Sequence, residues 1–121
     1  TGLRDYIHVV DLANAHVAAI DRQPNLNPFE AINLGSGEAK SVLEMIEAFT
    51  LASGRKISYE YCPRRLGDLA ECWSNPNLAA ERLNWKTVHT VEQMCSDMWR
   101  WQSKNLNGFN SPQSDIVTEK P

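Results

Sequence analysis

Cysteine is scarce in this chain, with only Cys62, Cys72 and Cys95. Three thiols cannot all pair, and none stands at the spacing of a zinc site. A disulfide-stapled secreted scaffold and a structural zinc module are thus not expected. Reduced thiols in a cytoplasmic protein are. Long apolar runs are also missing: no stretch approaches the roughly 20 residues that span a bilayer. No signal-peptide pattern is visible. A basic excess is absent too, with 12 Lys and Arg against 15 Asp and Glu and a net charge of −3. That balance leaves no electrostatic footprint for nucleic acid or an anionic membrane. Local arginines can still bind a small anion.

What is present is ordinary globular composition. The 121 residues are 42% apolar and 22% charged, one domain's worth of chain. That is too short for a nucleotide-binding domain plus a substrate domain. Asp5–Val10 is aromatic and β-branched and predicts a short strand. Asp11 then offers an N-cap to a helix over 12–22, with Leu12, Ala15, His16, Ala19 and Ile20 on one face. Two prolines place a loop at 23–28. Phe29–Leu34 predicts a second strand, ended by Gly35-Ser36-Gly37. Ser41 and Glu44 form a capping box, Val42, Met45, Ile46 and Phe49 an apolar face, and Gly54 a stop. Lys56–Tyr61 alternates like a strand, and Pro63–Asp68 is a charged loop.

Asn75-Pro76 opens a short helix to about Leu83. Thr90 and Gln93 cap a last helix, with Val91, Met94, Cys95, Met98 and Trp101 at helical spacing. Strands and helices are mixed, so the expected class is α/β (mixed α+β). The expected organisation is one unit over 1–109 and a disordered tail over 110–121, rich in Asn, Ser, Pro and charge.

Four segments read in order carry a resemblance. They are Arg4-Asp5-Tyr6-Ile7-His8-Val9, Asn33-Leu34-Gly35-Ser36-Gly37, Arg64-Arg65-Leu66-Gly67-Asp68, and Asp97-Met98-Trp99-Arg100-Trp101-Gln102. Their order and spacing resemble the nucleotide-sugar epimerases of the extended short-chain dehydrogenase/reductase family, most narrowly the UDP-glucose 4-epimerases. The first signature stands at residue 1, without an initiator Met. The chain is therefore expected to be the small C-terminal substrate-binding part of a longer enzyme, with the Rossmann domain largely absent.

The resemblance implies UDP-sugar-binding roles for Arg4, Tyr6, Val42, Arg65, Asp68 and Cys72. Each has a plainer reading beside it. A guanidinium at a strand edge can grip a diphosphate through two parallel hydrogen bonds, or Arg4 can pair with neighbouring Asp5. Tyr6 lines a nucleotide site or packs as a strand aromatic. Val42 packs on the nucleotide or on its own helix's core. Arg65 suits phosphate and Asp68 suits ribose hydroxyls, while such a loop without a ligand is solvated surface. Leu66 departs from the commoner acidic residue at its position. Cys72 corresponds to a residue beside the sugar's 2-substituent, where a small side chain leaves volume for an acetamido group. It also reads as an inert packed thiol. His8, His16 and His89 lack metal-ligand spacing and read as structural. Asn33–Gly37 reads as a strand-to-helix turn rather than a dinucleotide loop, because the Gly-x-Gly-x-x-Gly pattern is incomplete.

Family chemistry uses NAD, a glycine-rich loop and a Tyr-x-x-x-Lys pair. Tyr6, Tyr59 and Tyr61 have no Lys four residues later. The resemblance thus implies NAD, and a homodimer, for the intact enzyme. For this chain it implies UDP-sugar binding, with no catalytic, cofactor or metal residues and no activity alone. Two other readings stay open: a stand-alone module that binds nucleotide sugars without converting them, and a non-binding interaction fragment.

Overall fold

The computed structural model describes residues 1–25 and 27–108. The expected tail over 110–121 lies outside them. Three short strands, β1 (Leu3–Asp5), β2 (Ala39–Ser41) and β3 (Glu71–Cys72), form one sheet in the order β2-β1-β3. β1 pairs antiparallel with β2, placing Arg4 opposite Lys40, and parallel with β3, placing Arg4 opposite Cys72. Four helices complete the fold: α1 (Val9–Arg22), α2 (Val42–Ser53), α3 (Asn77–Leu83) and α4 (Val91–Lys104). α2 packs chiefly on α4, and α1 on α3. The mixed α/β class is as expected.

α2 starts and stops where the sequence places it. Ser41 Oγ accepts from the Glu44 N–H while the Glu44 carboxylate accepts from the Ser41 N–H. Gly54 ends the helix at φ 66°, a left-handed position that glycine takes without a Cβ penalty. Thr90 and Gln93 cap α4 in the same reciprocal way. α3 differs: Pro76 rather than Asn75 stands at its N-cap, without a side-chain cap, and Asn75 Oδ1 accepts from the Asn77 N–H one residue further out.

α1 differs from expectation. It begins at Val9, and its N-cap is His8, whose Nδ1 accepts from the Val10 N–H at 3.0 Å. Asp11 is not the cap. It lies inside the first turn and is 1% exposed. Its Oδ2 accepts from the Val88 and His89 N–H groups, and its Oδ1 pairs with His89 Nδ1 at 2.7 Å. The carboxylate thus stitches α1 to the segment before α4. On α1, Ala15, Ala18 and Ala19 face inward while His16, Val17 and Ile20 face out.

The core is small. Ala15, Ala79, Leu83 and Trp85 are buried, with Ile7, Ile32 and Leu34 packed against them. Alanine on both facing helices lets α1 and α3 approach closely. The Trp85 indole N–H donates to the Asp11 carbonyl at 3.1 Å, so the ring is buried with its polar edge satisfied.

Among the described residues, neither Phe29–Leu34 nor Lys56–Tyr61 joins the sheet, and of the expected strand over 5–10 only Asp5 does, at the end of β1. Alternation records which side chains suit a pleated surface, not whether a neighbouring strand is there to bond.

Candidate functional site

β1 is the centre of the sheet and carries the first candidate, Arg4. Consecutive strand side chains point to opposite faces, so Arg4 and Asp5 diverge. The Arg4 guanidinium donates to the Leu3 carbonyl at 2.7 Å and the Leu69 carbonyl at 3.0 Å rather than to Asp5. That removes the reading of Arg4 as the ion-pair partner of its neighbour. With five N–H donors on a guanidinium, three remain for a ligand.

The Pro63–Asp68 loop closes in a tight turn. The Asp68 N–H donates to the Arg65 carbonyl at 3.1 Å, and Gly67 takes φ 88° at the third position, where a type II turn requires positive φ. The Asp68 carboxylate accepts from both the backbone N–H and Nε of Arg65 at 3.3 Å. The Arg65 hydrogen bonds hold the Asp68 carboxyl below its ordinary value, with a further push from the charge of Arg4. Arg4, Arg65 and Asp68 therefore share one electrostatic neighbourhood. Arg65 is 87% exposed, so this neighbourhood opens to solvent on the side of the turn.

Cys72 stands opposite Arg4 in the parallel ladder with its thiol exposed. Val42 lies on the other flank of β1, one residue past Ser41, the ladder partner of Leu3. It is exposed at the start of α2, so it is not held in the core. Tyr6 is placed apart from these. It lines a cavity of about 240 Å³ with Ser36, Lys40, His89 and Thr90. Arg65, Asp68 and Cys72 do not line that cavity. The structure thus sets Arg4 beside Cys72 on β1 and β3, holds Arg65 and Asp68 together in the turn before β3, and places Val42 and Tyr6 to the sides.

Sequence reading missed Asp5. Its carboxylate accepts from Ser36 N–H (2.9 Å) and Oγ–H (2.6 Å), Gly37 N–H (3.1 Å), and Ser74 N–H (3.2 Å) and Oγ–H (2.5 Å). Burial alone would raise this carboxyl, yet the bonds from Ser36, Ser74 and Gly37 outweigh it and hold the group below its ordinary value. A Cβ on Gly35 would collide with Ser74 Oγ and the Asp5 carboxylate, so only glycine fits there. The available signal was the Gly35-Ser36-Gly37 turn, rich in donors and needing an anion.

The same geometry tests the turn as a dinucleotide site. Backbone N–H groups in a glycine-rich turn form a phosphate cradle when they are unfilled. Here those of Ser36 and Gly37 are bonded to the chain's own carboxylate. The turn does not fit a pyrophosphate, and none of the described residues is assigned to NAD.

A second titratable cluster joins α1 to α4. The His8 and His89 rings stack with centroids 4.2 Å apart. His8 Nδ1 accepts a hydrogen bond, so Nε2 carries the proton that faces Asp97 at 3.2 Å. These contacts are helix-capping and tethering ones. Among the described residues, no group of three or more His, Cys, Asp or Glu could hold a metal. Burial pushes the Cys95 thiol up, away from the thiolate that a nucleophile needs. No helix among the described residues is long and apolar enough to cross a membrane.

No protein-family model matches the chain. Curated relatives do. It is 48% identical over 113 residues to UDP-glucose 4-epimerase of Bacillus subtilis, a match covering 93% of this chain and 33% of the relative. Among solved structures, it is similar to UDP-glucose 4-epimerase from Bifidobacterium longum in complex with NAD+ and UDP. The TM-score is 0.83 at 46% identity, covering 90% of this chain and 32% of that one. It is also similar to the UDP-Glc/GlcNAc 4-epimerase from Campylobacter jejuni, at TM-score 0.75 and 33% identity over 86% and 32% of the two chains. By sequence and fold together, the chain is similar to one part of the UDP-glucose 4-epimerases, and it spans about a third of the length of the relatives it matches.

Proposed function

We propose that this chain is the UDP-sugar-binding part of an NAD-dependent UDP-glucose 4-epimerase. The intact enzyme, a cytoplasmic homodimer in this reading, interconverts UDP-glucose and UDP-galactose through a 4-keto intermediate. NAD is bound by the part of the enzyme outside this chain and takes up the hydride there. The observation that carries the reading is the cluster of Arg4, Arg65 and Asp68 along β1 and its neighbouring turn.

Each group has a role that follows from its chemistry. Arg4 and Arg65 offer paired N–H donors to the diphosphate, and Asp68 accepts from the ribose hydroxyls. A ligand must then take over the Arg65–Asp68 pair from itself, exchanging one charged hydrogen bond for others. Tyr6 and Val42 flank the nucleotide. Cys72, short and beside Arg4, leaves room for an N-acetyl group on the sugar, which extends the reading to UDP-GlcNAc and UDP-GalNAc.

The exposed apolar stripe of α1 (Val9, Val17 and Ile20) supports a longer enzyme, since a helix buries such residues when a neighbour is present. Binding by the chain alone is expected to be weak, because a nucleotide cleft needs converging walls.

Calorimetric titration of the chain with UDP is the test. Binding that disappears in Arg65→Ala is the expected result, and unchanged binding in that variant overturns the assignment. Cys72→Tyr should leave UDP affinity alone and weaken UDP-GlcNAc about tenfold relative to UDP-glucose. Equal treatment of both sugars by this variant removes the role of Cys72.

A further inference from the structure

The β1–β3 ladder contains only two residue pairs, Leu3 with Glu71 and Arg4 with Cys72. That is too short to fix β3 and the loop before it. Three other contacts attach this edge to β1. The Leu3 N–H donates to Ala70 O at 2.9 Å, Arg4 donates to Leu69 O, and both the N–H and Oγ–H of Ser74 donate to Asp5. Of these three, Ser74 is the attachment on the far side of Cys72. The two Asp5 oxygens divide the work: Oδ1 holds Ser36, and Oδ2 holds Gly37 and Ser74. One carboxylate therefore joins β1, the 35–37 turn and the segment after β3.

We infer that Asp5 is a positioning residue for nucleotide-sugar binding, setting Arg65, Asp68 and Cys72 against Arg4 through its bonds to Ser74. This rests on the proposed UDP-sugar site and adds to it a residue with no ligand contact of its own. The segment from Pro63 to Cys72 is pinned at its end by Ser74 and along its length by Arg4. Release of the Ser74 pin lets β3 slide on a two-pair ladder, and the diphosphate loses its facing arginines. Release on the Ser36 side leaves β3 where it is.

The experiment compares Ser74→Ala, Ser36→Ala and Asp5→Asn with the unaltered chain, reading UDP affinity by calorimetry and melting temperature on the same samples. Each serine variant removes one hydroxyl bond to Asp5, and Ser36→Ala also loses the two bonds between its hydroxyl and Glu38, so its melting temperature should fall at least as far as that of Ser74→Ala. Ser74→Ala should weaken UDP about tenfold, while Ser36→Ala should keep the original affinity. Asp5→Asn should match Ser74→Ala in affinity and fall lower in stability. Equal affinities for the two serine variants reduce Asp5 to a structural role and overturn the inference. Absence of UDP binding by the unaltered chain overturns the binding site itself, and the inference with it.

Discussion

The corner built from α1, α3 and Trp85 and the arm running from Arg55 to Ala70 are made of the same chain to different standards. In the corner, Ala15, Ala79 and Leu83 are buried, and Asp11 is sealed with its carboxylate fully bonded. In the arm, every residue but Ile57 and Asp68 is exposed, and Leu66 is completely so. The corner's buried groups find their partners among the described residues. The arm carries the charged groups of the candidate site and leans on β1 through a few hydrogen bonds. Stability and binding are therefore separable here, and substitutions should sort by region.

Asp11→Ala should produce the largest loss of stability. It strands two backbone N–H groups and an imidazole N–H in the corner, at about 1–3 kcal/mol for each buried donor left unmet. Urea unfolding would read this as a midpoint drop with an unchanged slope. A cost as small as that of a surface substitution would mean the corner is not what holds the fold. Arg65→Ala supplies the contrast, with binding lost and stability within about 0.5 kcal/mol.

Acid should act on the frame first. Burial would raise the Asp11 carboxyl, but bonds from His89 and Val88 hold it below its ordinary value of 3.8, as Ser36, Ser74 and Gly37 do for Asp5. A depressed folded-state value adds stability above the unfolded value and loses it as pH falls through the folded one. Melting temperature should be insensitive to these two groups above about pH 5 and should fall through pH 3.8 and below. Asp11→Asn should flatten part of that fall. Thr90→Ala should cost about 1 kcal/mol through the lost α4 cap, less than Asp11→Ala. It should leave UDP affinity unchanged.

Much of this was legible from residue patterns, for reasons that differ by element. Both capping boxes and the Gly54 stop were readable because their partners lie within four residues. The start of α1 was not. Val9 and Val10 are β-branched and favour strands on propensity, so the pattern carries the strand past the point where the helix begins. The decisive contact was an imidazole accepting from Val10, while Asp11 found its partners at Val88 and His89. Phe29–Leu34 and Lys56–Tyr61 have strand composition but no ladder, since a strand needs an edge that local sequence cannot supply. Arg65 and Asp68 fall together because the turn is local. Asp5 escaped notice because Arg4 beside it offered a simpler pairing, and its real donors lie 31 to 69 residues away.

The buried Trp85 ring has an optical consequence. Of the chain's four tryptophans, Trp73 and Trp101 are exposed, and Trp99 lies under the Arg55 guanidinium at 5.0 Å. Trp85 alone is sealed, with its indole bonded to the Asp11 carbonyl. Iodide in solution would quench the outer rings and spare this one. The shielded fraction of the emission would then follow the corner by itself, while Trp73, one residue beyond Cys72, would report on the arm.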